Sequence, residues 1–317
     1  MLESQEKSWL VIVNPNAGKR KGEKDWKKIS RLLDRYGFSY QVEFTRTRHH
    51  AIEIAREHAE NGTKRIIVVG GDGTMNEVIN GIFTQSKVPT TDITLSMITV
   101  GTGNDWGRMF HIPRQYEKAI QVIRNGNTIL QDAGVVHYRW NEDKGKRYFV
   151  NIAGIGFDAV VVSRANDLKD RGKSGKLLYL WNILSNLFRF HHSHTVLEVD
   201  GVKYSNNVFS ISIGIGKYSG GGMMQTPGAI ANDGLFDITV IKKIGKFDVI
   251  RNIGKLYNGK IIHHPKVLTL QGKSILIDAN PLIHVETDGE SLGHSPIRFD
   301  IIPSSVRVIC GTMPPAS

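Results

Sequence analysis

The chain has 317 residues, with 41 Lys+Arg against 30 Asp+Glu and a net charge of +11. A make-up of 40% hydrophobic and 22% charged residues fits a globular protein with room for two domains, and no apolar run nears the roughly 20 residues of a membrane-spanning helix. The start, MLESQEKSWL, lacks the pattern of a signal peptide, and a single cysteine, Cys310, excludes an intramolecular disulfide and points to a reducing, cytoplasmic setting.

In chain order, the first third alternates strand and helix patterns. WLVIVNP (9–15) is an apolar run stopped by Asn-Pro, and KDWKKISRLLDRYG (24–37) carries Trp26, Ile29, Leu32 and Leu33 at helical spacing. FSYQVEFT (38–45) reads as a strand and HHAIEIAREHAENG (49–62) as a helix. RIIVVGG (65–71) is a continuous apolar strand, MNEVINGIF (75–83) a helix and ITLSMITVG (93–101) a strand. This alternation predicts a parallel sheet with helices on both faces. After about residue 130, strands follow one another with few helices: 134–140, 147–157, 195–201, 208–216, 235–243, 267–272, 274–279, 283–289 and 297–303. That texture predicts an antiparallel β-sandwich or barrel. The expected division is an α/β domain over 1–133 and a β-sandwich over 134–303, with 304–317 returning to the first domain.

One helix is expected within the second part. LKDRGKSGKLLYLWNILSNLFRFHH (168–192) puts Leu177, Leu180, Leu184, Leu187 and Phe188 on one stripe, with Tyr179 and Trp181 off it. The stripe reads as a core helix, although aromatic residues with basic flanks also suit a membrane interface. His49-His50, His191-His192-His194 and His263-His264 form no metal-ligand pattern and read as solvated side chains or weak anion contacts.

The chemistry concentrates in glycine loops. VVGGDGTMNEVING (68–81) is strand, glycine turn and helix. Gly70, Gly71 and Gly73 permit close approach of a ligand, Thr74 is placed to cap the following helix, and the helix start favours an anion. An acid in such a phosphate cradle, Asp72, makes sense where Mg²⁺ bridges it to a polyphosphate. A plain Gly-Asp-Gly turn with an exposed acid is the bland alternative. NPNAG (14–18) and GTGNDWGR (101–108) follow two other strands of the same sheet, and all three loops would converge at its carboxyl edge.

NPNAG, GGDGTMNEVING and GTGNDWGR, in this order and spacing, resemble the diacylglycerol-kinase catalytic-domain family of lipid kinases. The closest resemblance is to its soluble bacterial members. NIAGIGFDA, IGIGKYSGGGMMQTPGAIANDGLFDI (213–238) and TDGE (287–290) extend the resemblance over nearly the whole chain. It implies a nucleotide-binding α/β domain, a larger all-β sandwich and an active site in the cleft between them. ATP contacts would fall on Asn14, Pro15, Asn16, Ala17 and Gly18, on Thr45, on Gly70, Gly71, Asp72, Gly73, Thr74, Met75, Asn76 and Glu77, and on Thr102 and Asp105. Glu290 would be the general base for a lipid hydroxyl. Asp288 would help hold Mg²⁺ or orient that hydroxyl, although Asp-Gly is also a strong hairpin signal. A second, structural Mg²⁺ would sit on Asp233 and the carbonyls of Ile230 and Leu235, within an acid and water network of Asp72, Asp105, Asp132 and Asp233.

The implied activity is an ATP- and Mg²⁺-dependent lipid kinase. Its substrate would be diacylglycerol or a related lipid with a free hydroxyl. The positive charge, with the basic cluster at Lys19–Lys28, would bring the protein transiently to an anionic membrane surface. Solubility alone explains the charge equally well. No nucleic-acid motif is present, and a homodimer through a strand edge stays open. An NAD kinase-like enzyme with a soluble substrate explains GGDGTMNE but not NPNAG or GTGNDWGR. A non-catalytic nucleotide- or lipid-binding sensor is opposed by the intact acids Asp72, Asp233, Asp288 and Glu290.

Overall fold

A computed structural model describes residues 8–170 and 176–311. The chain divides into two compact units, Met1–Ala133 with Pro303–Ser317, and Gly134–Ile302. The elements of the first unit are β1 (Trp9–Val13), α1 (Ala17–Arg35), β2 (Tyr40–Phe44), α2 (His50–Glu60), β3 (Arg65–Gly70), α3 (Asp72–Thr84), β4 (Thr94–Thr99), α4 (Asp105–Met109) and α5 (Tyr116–Asn125). β5 (Thr128–Trp140) then leads into the second unit. There follow β6 (Asp143–Phe149), β7 (Ile152–Gly156), α6 (Phe157–Asp170), α7 (Lys176–Arg189), β8 (Ser193–Val199), β9 (Val202–Gly214), the two-residue strands β10 (Tyr218–Ser219) and β11 (Met223–Met224), β12 (Phe236–Lys242) and α8 (Lys246–Asn252). The last strands are β13 (Val267–Gly272), β14 (Ser274–Asn280), β15 (His284–Thr287) and β16 (Glu290–Ile309), whose end returns to the first unit.

In the first unit β2, β1, β3 and β4 pair in parallel, and the end of β16 joins beside β4 through Arg307–Thr94 and Val308–Leu95. Strand residues alternate between faces. Trp9, Val11, Val13, Ile67 and Val69 therefore share one face, where Ile29, Leu32 and Leu33 of α1 and Ile120 and Ile123 of α5 cover them. Leu10, Ile12, Ile66 and Val68 are equally buried on the other face, where α2 and α3 pack on β1, β3 and each other. Burial on both faces explains the unbroken apolar runs. Beyond the GTGNDWGR loop, the sequence pattern marks no helix or strand before residue 134, yet α4 starts within that loop, and α5 and the start of β5 follow it.

All strand pairings within the second unit that involve β6 to β9 and β12 to β15 are antiparallel. Two long strands change neighbours along their length. The first half of β9 pairs with β8 and its second half with β7 and β12. β16 pairs first with β15 and then with β14. The pairing thus closes on itself through β7, β15, β16, β14, β8 and β9, which removes exposed edges from that ring. Phe149, Phe236 and Phe299 fill the interior, with ring centroids 5.9 and 6.0 Å apart.

The helix expected within 168–192 is α7, and the start of that segment belongs to the end of a preceding helix, α6. Leu187 is buried and Leu184 half-buried, but Phe188 points outward, which corrects the stripe at that position. Leu177, Tyr179 and Leu180, like 1–7 and 312–317, lie outside the residues described in side-chain detail. His264 is not a solvated side chain, because it pairs with Asp248 at 3.4 Å. Among the described residues no helix is long and apolar enough to cross a membrane.

Candidate active site

Three turns at the carboxyl ends of β1, β3 and β4 interlock in the first unit. Asn14 Nδ2 donates to Thr74 Oγ1 at 3.0 Å, joining the first turn to the second. The amides of Val100 and Gly101 donate to Gly70 O, joining the third to the second. Asn14 Oδ1 accepts from Asn16 N, which rounds the NPNAG turn. Gly18 lies in left-handed backbone (φ +62°), and a Cβ there would come within 1.9 Å of Val100 O. Only a bare glycine lets the first turn pass this close to the third. Gly71 and Gly101 are likewise face to face, since a Cβ on Gly101 would sit 2.9 Å from Gly71 Cα. Pro15 and Ala17 lie half-buried in the first turn, and Thr45, at the end of β2, is buried and donates its amide to Val13 O.

Helix α3 starts at Asp72, three residues before the apolar pattern begins. Gly71 is its N-cap and no side chain caps it, so the expected cap at Thr74 is corrected: Thr74 lies inside the first turn, its hydroxyl bound by Asn14. The first-turn N–H groups of Asp72, Gly73 and Thr74 therefore remain available to an anion. Met75 and Asn76 are buried, which leaves their backbone rather than their side chains for a ligand. Glu77 accepts the amides of His49 and Ala51 and so holds the start of α2.

Asp72 Oδ1 accepts the Trp106 amide at 3.0 Å. A Cβ on Gly103 would lie 2.8 Å from Asp72 Oδ2 and 3.4 Å from Asp105 Oδ2, so both acids face that bare glycine. Asp105 also meets Arg108 at 3.4 Å. Thr102 is exposed, and its carbonyl accepts from Arg114. Hard carboxylate oxygens beside an open helix start suit Mg²⁺ carried by phosphate. Among the described residues no group of three or more His, Cys, Asp or Glu is assembled for a metal, so such an ion would depend on the ligand's own oxygens. The Asp132 carboxylate accepts the Ser304 amide and ties down the end of β16.

The second unit holds the other acids. Asp288 and Gly289 form a two-residue hairpin turn between β15 and β16, both left-handed (φ +50° and +85°), as a type I′ turn requires. The Asp288 carboxylate accepts three amides, from Val150, Asn151 and Ile152, each at 3.1 Å. Its own amide donates to Ile152 O. The turn signal and the acid are thus one device, which pins the hairpin tip and sets Glu290 at the start of β16.

Two acids beside it were not picked out by sequence reasoning, Asp158 and Glu286. Glu286 is buried in β15, where its carboxylate accepts the Gly289 amide at 2.9 Å. Burial pushes its pKa well above the carboxylate range, and the charges of Asp158, Asp288 and Glu290 add to this. Asp158 opens α6 and accepts from Ser210, Ser212 and Gln225, yet burial still pushes it up to about 6. Gly154 separates the two: a Cβ there would lie 2.5 Å from Glu286 Oε1 and 3.0 Å from Asp158 Cβ. The available signal was an acid inside a strand buried on both faces, at Val285-Glu286. Asp233 stands apart from this group as an exposed carboxylate accepting the Leu235 amide, and Ile230 is exposed. Among the described residues no ligand set is assembled around it, so a metal there rests on the sequence resemblance alone.

Comparison with known proteins bears on both units. The diacylglycerol kinase catalytic domain model matches residues 8–136, and the YegS C-terminal NAD kinase beta sandwich-like domain model matches residues 151–310. A diacylglycerol kinase from Staphylococcus carnosus is 27% identical over 298 residues, covering 94% of this chain and 93% of its own. YtlR of Bacillus subtilis, provisionally named a lipid kinase, is 30% identical over 312 residues, covering 95% and 98%. A Bacillus anthracis structure provisionally described as a diacylglycerol kinase superposes with a TM-score of 0.76 at 27% identity, covering 96% of this chain and 97% of that one.

Proposed function

This chain belongs to the diacylglycerol kinase catalytic-domain family, and we propose that it transfers the γ-phosphoryl group of ATP to the hydroxyl of diacylglycerol or a related lipid alcohol. The observation that carries this reading is the uncapped start of α3, ringed by three interlocked glycine turns with Asp72 and Asp105 facing the same bare glycine. Backbone N–H groups of Asp72 to Thr74, with the NPNAG turn and Thr102, hold the phosphates. Asp72, supported by Asp105, would hold Mg²⁺. When bound, Mg·ATP supplies the transferable phosphoryl group, and the metal neutralises charge on its oxygens.

Glu290 takes the proton of the acceptor hydroxyl as it attacks. Asp288 holds the turn that presents Glu290, through its three amide contacts. Glu286 keeps a proton to higher pH, which limits repulsion within the group of four acids. The protein meets an anionic membrane surface transiently to reach its substrate.

The test is transfer of labelled γ-phosphate from Mg·ATP to a lipid extract in detergent micelles. Wild type should yield a labelled lipid, and Asp72→Ala and Glu290→Gln should not. Tight ATP binding without any labelled lipid would overturn the lipid acceptor. A second reading, a kinase for a soluble NAD-like acceptor, draws on the NAD kinase-like description of the second unit's family model. Label appearing in NAD, and not in lipid, would favour it.

A further inference from the structure

The second unit exposes large apolar side chains on and next to two of its helices. Phe247 of α8 is 82% exposed, Trp181 and Phe188 of α7 are 68% and 53%, and Tyr257, just past α8, is 57%. The two helices share one footing. Leu187 and Ile183 of α7 pack with Ile244, just before α8, and Val249, within it, on Phe157 and Phe209. Their inward faces are therefore already filled by apolar residues, and Phe188 and Phe247 are left over. Lys246 Nζ donates to Phe188 O at 2.5 Å and lies 5.7 Å from the Phe188 ring, which fixes the two helices side by side. Trp181 is two helical turns before Phe188 and Ile250 one turn after Phe247, so each helix continues the outward stripe.

Charge surrounds this stripe. Residues 242–260 hold six Lys or Arg and one acid, Asp248, and that acid faces His264 at 3.4 Å. Lys243, Arg251, Lys255 and Lys260 are exposed, as is Arg189 at the end of α7. Aromatic rings interleaved with Lys and Arg are the composition of a surface that sinks rings among lipid headgroups while its cations meet anionic ones. Two other exposed apolar residues of this unit differ. Leu276 lies opposite Glu198, and Val196 opposite Asp278, so acids interrupt that strand surface. In the first unit Phe44 is the one large apolar side chain exposed among the described residues, and the Lys19–Lys28 cluster is partly paired through Arg20–Glu23 and Lys21–Asp25.

We infer that the outer face of α7 and α8, carrying Trp181, Phe188, Phe247 and Ile250 among basic residues, is the surface by which this chain docks onto an anionic lipid bilayer. The inference rests on the lipid-kinase reading and names the surface at which that enzyme meets its substrate. Phe188 and Phe247 enter the interface, and Arg189, Lys243, Arg251 and Lys255 contact anionic headgroups.

The experiment is co-sedimentation of the full chain with phosphatidylcholine vesicles, with and without phosphatidylglycerol. Phe188→Ser with Phe247→Ser is one variant, Arg251→Glu with Lys255→Glu a second, and Trp140→Ser, an equally exposed aromatic on β5, the control. Wild type should bind only the anionic vesicles and release as salt rises. Each double variant should bind about tenfold more weakly, and the control should bind as wild type does. Both double variants should still phosphorylate a short-chain diacylglycerol presented as a monomer. The charge variant decides the matter where the serine variant fails to fold.

Wild type that ignores anionic vesicles, or double variants that bind as well as wild type, would overturn the inference. So would a wild-type dimer that the serine variant dissociates, since a second copy would then cover this face. Vesicle binding that maps to this face without phosphorylation of any lipid would leave the docking surface standing and remove the kinase reading instead.

Discussion

At the scale of single residues, the acids of the second unit divide the work by environment. Asp288 is spent on three amides, Glu286 is buried against Gly154, and Glu290 sits at the mouth of the hairpin as the assigned base. Glu290→Gln should lower kcat by about 10²–10⁴-fold with ATP affinity unchanged, as loss of a general base does. Steady-state kinetics beside ATP titration checks this, and an unchanged kcat would remove the assignment. Glu286 makes a prediction about pH. Burial lifts its folded pKa above the ordinary value, so between the two the folded chain keeps a proton that the unfolded chain has lost. Its contribution to stability is complete below the ordinary value and is lost as pH rises through the folded one. Asp158 acts in the same direction over the window from 3.8 to about 6. Glu286→Gln should therefore gain in Tm relative to wild type as pH climbs, by roughly a few degrees. Melting curves across that range test it, and parallel curves for the two proteins would refute it.

At the scale of elements, the glycine turns were legible as a set, but their mutual fit was not. Gly18 combines left-handed backbone with contact on Val100 O. Gly18→Ala should cost about 1–3 kcal/mol of stability, from strain at that conformation. It should also weaken ATP binding, because the displaced turn is part of the proposed phosphate cradle. Denaturant unfolding and ATP titration measure both; wild-type affinity in a correctly folded variant would detach this turn from the nucleotide. The strands were readable because burial on both faces leaves an unbroken apolar run, as in RIIVVG. The start of α3 was misplaced because Thr74 answers to Asn14, sixty positions away, rather than to its own helix. Similarly, Glu286 meets Asp158 only through the pairing of β15 with β7, which no local pattern encodes. Phe188 of α7 looked like core because helical spacing alone does not say which side is already covered.

At the scale of the whole molecule, the first unit is completed by the last strand of the chain. β16 pairs with β4 through Arg307 and Val308, and Val306, Val308, Ile309 and Cys310 are buried there. Polar bonds fasten the same stretch: Ser304 N to Asp132, Thr90 Oγ1 to Ser305 O at 2.6 Å, Arg307 to Thr91 O and Cys310 N to Asn127 O. A chain ending after Ile302 keeps every residue proposed to touch ATP, yet it strips β4 of its outer neighbour and exposes an apolar parallel edge. Such a chain should aggregate, or lose the rise in Tm that ATP gives the full protein. The conservative comparison is Val308→Asp, which keeps the backbone pairing but places an acid at a buried position. It should destabilise the first unit by about 2–5 kcal/mol and lower apparent ATP affinity in proportion to the unfolded fraction. A truncated chain that stays soluble and binds ATP as tightly as the full one would mean that the parallel sheet closes without its fifth strand. The cradle would then depend only on β1, β3 and β4 and the glycine turns that lock them together.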